Sequence, residues 1–350
     1  MYRTGKGIGR NISLRCCAAD KTDLTSRIYA CGDGEDSSAE LLASFSGVSM
    51  LLRNKHVALV GDSLMDHLFV EWARQLGARR VPAEDVRRLY ALPGAVAPTE
   101  PAAREWCVSD RLRVPHHVVY DAARNLTLSF FTMHVRATAE CAAAADPLSR
   151  WVVGAHEAKD MDISMLFNAL RVADVAVVNL GVQWNAELRH HYLRSLRAVM
   201  SALQRANSNG NGVVVRRRRQ WAVYRMSTPQ HFAPSAASTD RSGYFHGPTP
   251  ASAPLRRPSR RCAPLDRANM SQQWRTQLEW RVAAEMGLPS RFLVPSWPAL
   301  ADRWDAHPPR NPGDCTHYCY HPAIFAAVVA PVVRTLRRVL EGDGWTRAWR

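Results

Sequence analysis

The chain has 350 residues, of which 47% are hydrophobic, so it can bury a large core and wholesale disorder is excluded. A formal charge of +15 invites a nucleic-acid partner, yet only four of the 46 basic residues are lysines. That arginine skew, with many alanines, reads as a compositional habit of the coding sequence, so charge alone argues for no partner.

Residues 1–43 are weakly patterned and are read as an N-terminal segment; residues 44–345 are read as one domain. "HVALV", His56 to Val60, is a short apolar run stopping at Gly61, as expected of a buried parallel strand. "SLMDHLFVEWARQLG" follows with Leu64, Leu68, Trp72 and Leu76 at helical spacing and Gly77 at its C-cap. "ADVAVVNLG", Ala173 to Gly181, predicts a second buried strand, followed by the helix-like "AELRHHYLRSLRAVMSALQRA". "GVVVRRRRQWAVYR" predicts a third strand. Its densest basic run, Arg216 to Arg219, suits either a solvated edge or a contact for an anionic ligand. A Pro- and Ser-rich loop at about 227–264 comes next. Then "QQWRTQLEWRVAAEMG" reads as helix, "RFLVPSW" as strand, and "PAIFAAVVAPVVRTLRRVLEG" as an amphipathic helix kinked or broken near Pro331. Strands alternating with helices argue for a three-layer α/β/α fold with a mostly parallel central sheet.

Eight cysteines, Cys16, Cys17, Cys31, Cys107, Cys141, Cys262, Cys315 and Cys319, contain no repeated C-x-x-C pair, which weakens a zinc-ribbon reading and favours secretory-pathway disulfides over reduced thiols. No stretch approaches the ~18 apolar residues of a membrane span. The polar start lacks a signal-peptide pattern, so a luminal protein would need a targeting segment that is not in this chain.

Three polar segments fall at the carboxyl ends of predicted strands, where α/β sheets carry their chemistry. In "GDS", Gly61 to Ser63, the serine hydroxyl would stand exposed at a helix mouth, its own N–H available to an oxyanion; alternatively Asp62 or Ser63 simply caps the helix. In "NLGVQWN", oxyanion donors could come from the Gly181 backbone and from the Gln183 or Asn179 amide, or the segment is a plain turn. In "DCTHYCYH", Asp314 and His317 are spaced to share one side of a turn, carboxylate toward Nδ1 and Nε2 toward Ser63. As an extended strand, the same segment would set Cys315, His317, Cys319 and His321 on one face as metal ligands. So short a segment wraps a tetrahedral ion poorly, and no second ligand cluster accompanies it. Trp184, Trp297 and Trp304 are candidates either for stacking on sugar rings or for the core.

"KHVALVGDSLMDH", "VVNLGVQWN", "VYRMSTPQHF" and "DAHPPRNPGDCTHYCYHP", in that order over roughly residues 44–340, resemble the blocks of the trichome-birefringence-like polysaccharide O-acetyltransferases, the PC-esterase group of SGNH hydrolases. The resemblance implies Ser63 as nucleophile, His317 as general base and then acid, and Asp314 as its orienting partner. It puts Gly61, Asp62, Asn179, Gly181 and Gln183 around the oxyanion and makes Arg225 and His231 site-lining. It also implies that the cysteines flanking the Asp-x-x-His block, Cys315 and Cys319, are disulfide-bonded and anchor the catalytic loop. The family's paired tryptophans are here Gln183 and Trp184, and its Leu-Pro-Gly is Tyr320, His321 and Pro322. The implied reaction moves acetyl from acetyl-CoA or another donor, as co-substrate and with no bound cofactor, onto a polysaccharide or glycan in the Golgi or secretory lumen. Nucleic acid is not expected as a partner, and a membrane only through an anchor not present in this chain. A carbohydrate acetyl esterase using the same triad and a non-catalytic glycan-binding protein are the alternatives.

Overall fold

A computed structural model describes residues 47–90, 114–133, 163–182, 184, 189–208, 220–232, 262–265, 274–301, 303–307, 315–318 and 322–342. Asp314, Gln183, Cys319, His321 and the Arg216 to Arg219 run lie outside the described residues, as does the segment 1–43.

β1 (His56–Gly61) is buried from Val57 onward, as its apolar run requires when helices cover both faces of a sheet. α1 (Ser63–Leu76) follows at once. Asp62 is its N-cap, its side chain accepting from the Leu64 N–H, and Gly77 closes it in the left-handed region at φ 59° with its N–H on the Ala73 and Arg74 carbonyls. Leu64, Met65, Leu68, Phe69, Trp72 and Leu76 face inward, the stripe that the spacing predicted.

Next come β2 (Arg79–Arg80), α2 (Ala83–Tyr90), β3 (His117–Asp121) and β4 (Leu126–Thr132). The sequence reading assigned no strands here. "HVVYD" and "LTLSFFT" pair antiparallel around a short turn, and β4 then lies parallel to β1. α3 (Ser164–Val172) leads into β5 (Val175–Val178), then α4 (Arg189–Asn207), β6 (Trp221–Arg225) and α5 (Trp274–Glu285).

The predicted strand "RFLVPSW" shrinks to β7 (Leu293–Val294), flanked by a 3-10 turn at Ser290–Phe292 and by the four-residue α6 (Trp297–Leu300). Pro295 explains the stop, since it has no N–H to offer the ladder. α7 (Pro322–Gly342) runs unbroken through Pro331. The ring removes one N–H, but Ile324, Val328, Val329, Val332, Val333, Leu336, Val339 and Leu340 are all buried on one side, and this packing holds the helix together across the lost bond.

The result is an α/β protein with a seven-stranded mixed sheet in the order β2-β3-β4-β1-β5-β6-β7, parallel from β4 to β7. After β1 the chain crosses to the sheet edge at β2 and returns through β3 to β4 beside β1; after β5 it builds outward on the other side, through β6 and β7. β1 and β5 are therefore neighbours whose connections leave in opposite directions, and such a switch point opens a crevice at the strands' carboxyl ends. The segments after these two strands begin at Asp62 and Asn179.

Candidate active site

Ser63 is the first residue of α1, and its Oγ lies 2.7 Å from His317 Nε2. The residues are 254 positions apart in sequence, so only the fold joins them. The geometry suits a serine hydroxyl donating to an imidazole that can take its proton. Capping and exposure, posed in the sequence as alternatives for "GDS", fall to different residues. Asp62 caps, which leaves the Ser63 hydroxyl to His317.

Asp62 also ties the two strand ends together. Its Oδ1 accepts from Leu64 N at 3.0 Å and its Oδ2 from Val182 N at 3.0 Å, with the residue 1% exposed. Gly181 makes that approach possible. It sits at φ 83°, and a Cβ there would come within 2.5 Å of Asp62 Oδ2. Gly181→Ala combines left-handed strain with that clash, so we expect it to destabilise the fold by about 2 to 4 kcal/mol. Urea unfolding of the purified variant measures this, and a loss below about 0.5 kcal/mol would refute the close packing argued for this turn.

The oxyanion expectation needs correcting for the Gly181 N–H, and one of the two Asn179 amide protons is also taken. Gly181 N–H already donates to Asn179 Oδ1 at 2.6 Å, and Asn179 Nδ2 donates to the Arg225 carbonyl at 2.7 Å. Both groups are therefore engaged in bracing the turn after β5. Among the described residues, Ser63 N–H has no acceptor, and it stands at the positive end of the fourteen-residue α1, suited to developing negative charge.

The loop carrying His317 is held from several directions. Cys315 is bonded to Cys262, with Cα atoms 5.3 Å apart, so the cysteine before the histidine is tied to the end of the Pro- and Ser-rich loop. A disulfide sulfur has no thiolate for a metal, which removes Cys315 from the four-ligand alternative. Tyr318 OH donates to the Pro229 carbonyl at 2.9 Å, Gln230 Nε2 to Thr316 Oγ1 at 2.8 Å, and His231 N to the Cys315 carbonyl at 3.0 Å. The segment after β6, which the sequence singled out for Arg225 and His231, is thus the backing of the histidine loop. His231 supports that loop from behind and is fully buried.

Arg225 closes β6 beneath the first turn of α1. It is 1% exposed, and among the described residues its Nη1 reaches the Met65 thioether at 3.6 Å while its Nε has no hydrogen-bond partner. Burial pulls the guanidinium down to about 10, while Asp62 and Tyr318 pull it the other way. A buried cation without an oxygen acceptor beside a candidate nucleophile is costly for structure alone.

Of the three tryptophans, Trp184 and Trp297 are core residues at 0% and 5% exposure, which corrects their candidacy as sugar platforms; Trp304 is 42% exposed. Trp184 packs edge-on against Tyr192 and donates its indole N–H to the Leu180 carbonyl.

Sequence reading missed five residues around the site. His67 lies one turn after Ser63 on α1, its ring 5.1 Å from that of His317, and the four-residue spacing could have flagged it. Gln230 and His307 also brace the histidine loop. From α5, Arg275 donates to Gln230 Oε1 at 3.1 Å and to the Trp184 carbonyl, while Glu279 accepts from Tyr192, Tyr224 and Ser227. The signal in the sequence was two charges four apart on a helix that also offers Trp274, Leu278 and Val282. Among the described residues no cluster of metal-type ligands is present.

Set against known proteins, the chain matches no family model and no curated sequence. The reading of the site therefore rests on its own geometry.

Proposed function

We propose that the chain is a serine acyl-transfer enzyme, and specifically an O-acetyltransferase acting on polysaccharide or glycan hydroxyls, of the kind its four sequence blocks resemble. The contact between Ser63 Oγ and His317 Nε2, at the crevice between β1 and β5, carries this reading. The sheet order also supports it, as do the contacts that split the helices into two groups, α1 with α7 and α3 with α4 and α5, as a three-layer SGNH-like fold would have them.

In the first step Ser63 Oγ attacks the acetyl carbonyl while its proton moves to His317 Nε2; the donor's leaving group departs with that proton. In the second, a sugar hydroxyl gives its proton to Nε2 and takes the acetyl group, and Ser63 recovers a proton as it leaves. Ser63 N–H meets the oxyanion in both steps, a donor worth about 2.7 to 4 kcal/mol in such sites. Asp314 is the orienting partner assigned by the resemblance. The Cys262–Cys315 disulfide favours an oxidising compartment such as the secretory lumen. Among the described residues, no helix is long and apolar enough to cross a membrane.

Intact-mass spectrometry after incubation with acetyl-CoA or a small acetyl ester tests the reading. An acetyl adduct discharged faster by an oligosaccharide than by water supports transfer. Discharge by water alone makes the protein an esterase, and no adduct at all overturns the serine mechanism.

Arg225→Met separates site from scaffold. Methionine keeps the apolar packing but removes the charge that attracts the buried Asp62 carboxylate, so stability should fall by no more than about 2 kcal/mol, while adduct formation slows tenfold or more. A large loss of stability with unchanged adduct formation in the folded fraction would make Arg225 purely structural.

A further inference from the structure

Behind the His317 loop two histidines form a chain with a backbone carbonyl at each end. His307 Nδ1 lies 2.6 Å from the His317 carbonyl oxygen, His307 Nε2 lies 2.8 Å from His231 Nδ1, and His231 Nε2 lies 3.0 Å from the Ala301 carbonyl oxygen. His231 is 0% and His307 7% exposed. A carbonyl can only accept, so both end contacts need a proton on nitrogen, and the central contact needs one more. Three protons are required, and two neutral imidazoles carry two between them. A neutral pair would leave lone pair facing lone pair in one contact, away from water, at the cost of an unmade buried hydrogen bond.

We propose that His231 and His307 share three ring protons, forming a buried cationic pair that fixes the His317 peptide and so positions that imidazole against Ser63. The pair acts through the His317 backbone, which makes both histidines positioning residues. Their surroundings fit a cation. The Tyr318 ring lies 4.7 Å from the His307 ring at 31°, offering it a π face, and 6.2 Å from the His231 ring at 90°. Among the described residues, His317 meets the pair through its backbone carbonyl, and Arg225 lies within electrostatic reach of Tyr318, the ring beside the pair. His231 N–H also donates to the Cys315 carbonyl, so the pair and the disulfide hold the same short loop on both sides of Thr316.

The positioning role rests on the Ser63–His317 reading, whereas the protonation state does not. Imidazole nitrogen NMR of 15N-histidine-labelled protein between pH 6 and 8, with His231→Gln and His307→Gln for assignment, reads the protons directly. Three protonated nitrogens in the pair are expected throughout that range; two at pH 7 would overturn the proposal. The second arm follows the rate of Ser63 acetylation by a small acetyl ester against pH. The pair's positive charge opposes any further positive charge developing in the site it backs. His307→Gln should therefore slow the reaction at least tenfold and move its acid limb to higher pH by about one unit. An unchanged profile would overturn the positioning role. Three protonated nitrogens in a wild type that never forms an adduct would leave the cationic pair standing and overturn the serine mechanism instead. If His307→Gln fails to fold, the wild-type spectrum assigned through His231→Gln still decides the protonation.

Discussion

Ser63→Ala should lose the acetyl adduct and drop turnover roughly 10⁴-fold or more, with unfolding free energy within about 1 kcal/mol of wild type. The two halves of this expectation have separate physical causes. The nucleophilic oxygen disappears, and the proton acceptor 2.7 Å away is left with nothing to activate. Stability survives because Ser63 is the first residue of α1 and not its cap, so alanine is well tolerated there. The neighbouring Asp62→Ala should behave in the opposite sense. It removes the acceptor for both Leu64 N–H and Val182 N–H, and should cost about 2 to 3 kcal/mol. Adduct mass spectrometry and urea unfolding on both variants read the contrast. A Ser63→Ala protein that still acquires an adduct at one specific residue would move the nucleophile elsewhere and undo the proposed mechanism.

Glu279→Leu is expected to produce the largest loss of stability, about 4 kcal/mol or more. The carboxylate is 0% exposed and is the shared acceptor for Tyr192 OH at 2.6 Å, Tyr224 OH at 2.9 Å, Ser227 Oγ at 2.7 Å and Ser227 N at 3.1 Å. It therefore joins α4, β6 and the start of the segment that backs the histidine loop. Leucine fills the space and leaves those donors dry and unpaired. Glu279→Gln should cost less, about 2 kcal/mol, because it keeps one strong acceptor.

The same group makes a pH prediction with a definite sign. Burial pushes the Glu279 carboxyl up, against the opposing pull of its hydrogen-bond donors. In the window from the ordinary glutamate range near about 4.3 up to its raised value, the folded protein binds this proton more tightly than the unfolded chain. Its contribution to stability therefore falls as pH rises through that window, and Glu279→Gln should remove that component of the slope. Urea midpoints measured at closely spaced pH values in both proteins would expose a slope that the variant retains, which would contradict the assignment.

The elements nearest Ser63 were legible because local physics specifies them. The apolar run of β1, the four-residue stripe of α1 and the Gly77 C-cap are short-range signals that read the same in sequence and structure, whereas the choice of Asp62 over Ser63 as N-cap came from the fold. β3 and β4 went unread because each is brief and their meaning lies in pairing with one another and with β1. β7 was overread, since apolar residues before Pro295 suit a strand that the proline then cuts short.

By itself, the sequence determined an α/β alternation, a serine at a strand-to-helix turn and a histidine with acid spacing near the C-terminus, because periodicity, capping and local spacing involve only residues a few positions apart. The tertiary structure alone decided that Ser63 meets His317, that Asn179 and Gly181 brace a turn, that Arg225 and Glu279 are buried charges, and that His231 and His307 stand in line behind the His317 loop. Each of those pairings spans contacts set by strand order and burial, and hydrogen bonds between distant segments leave no periodic trace in the chain that forms them.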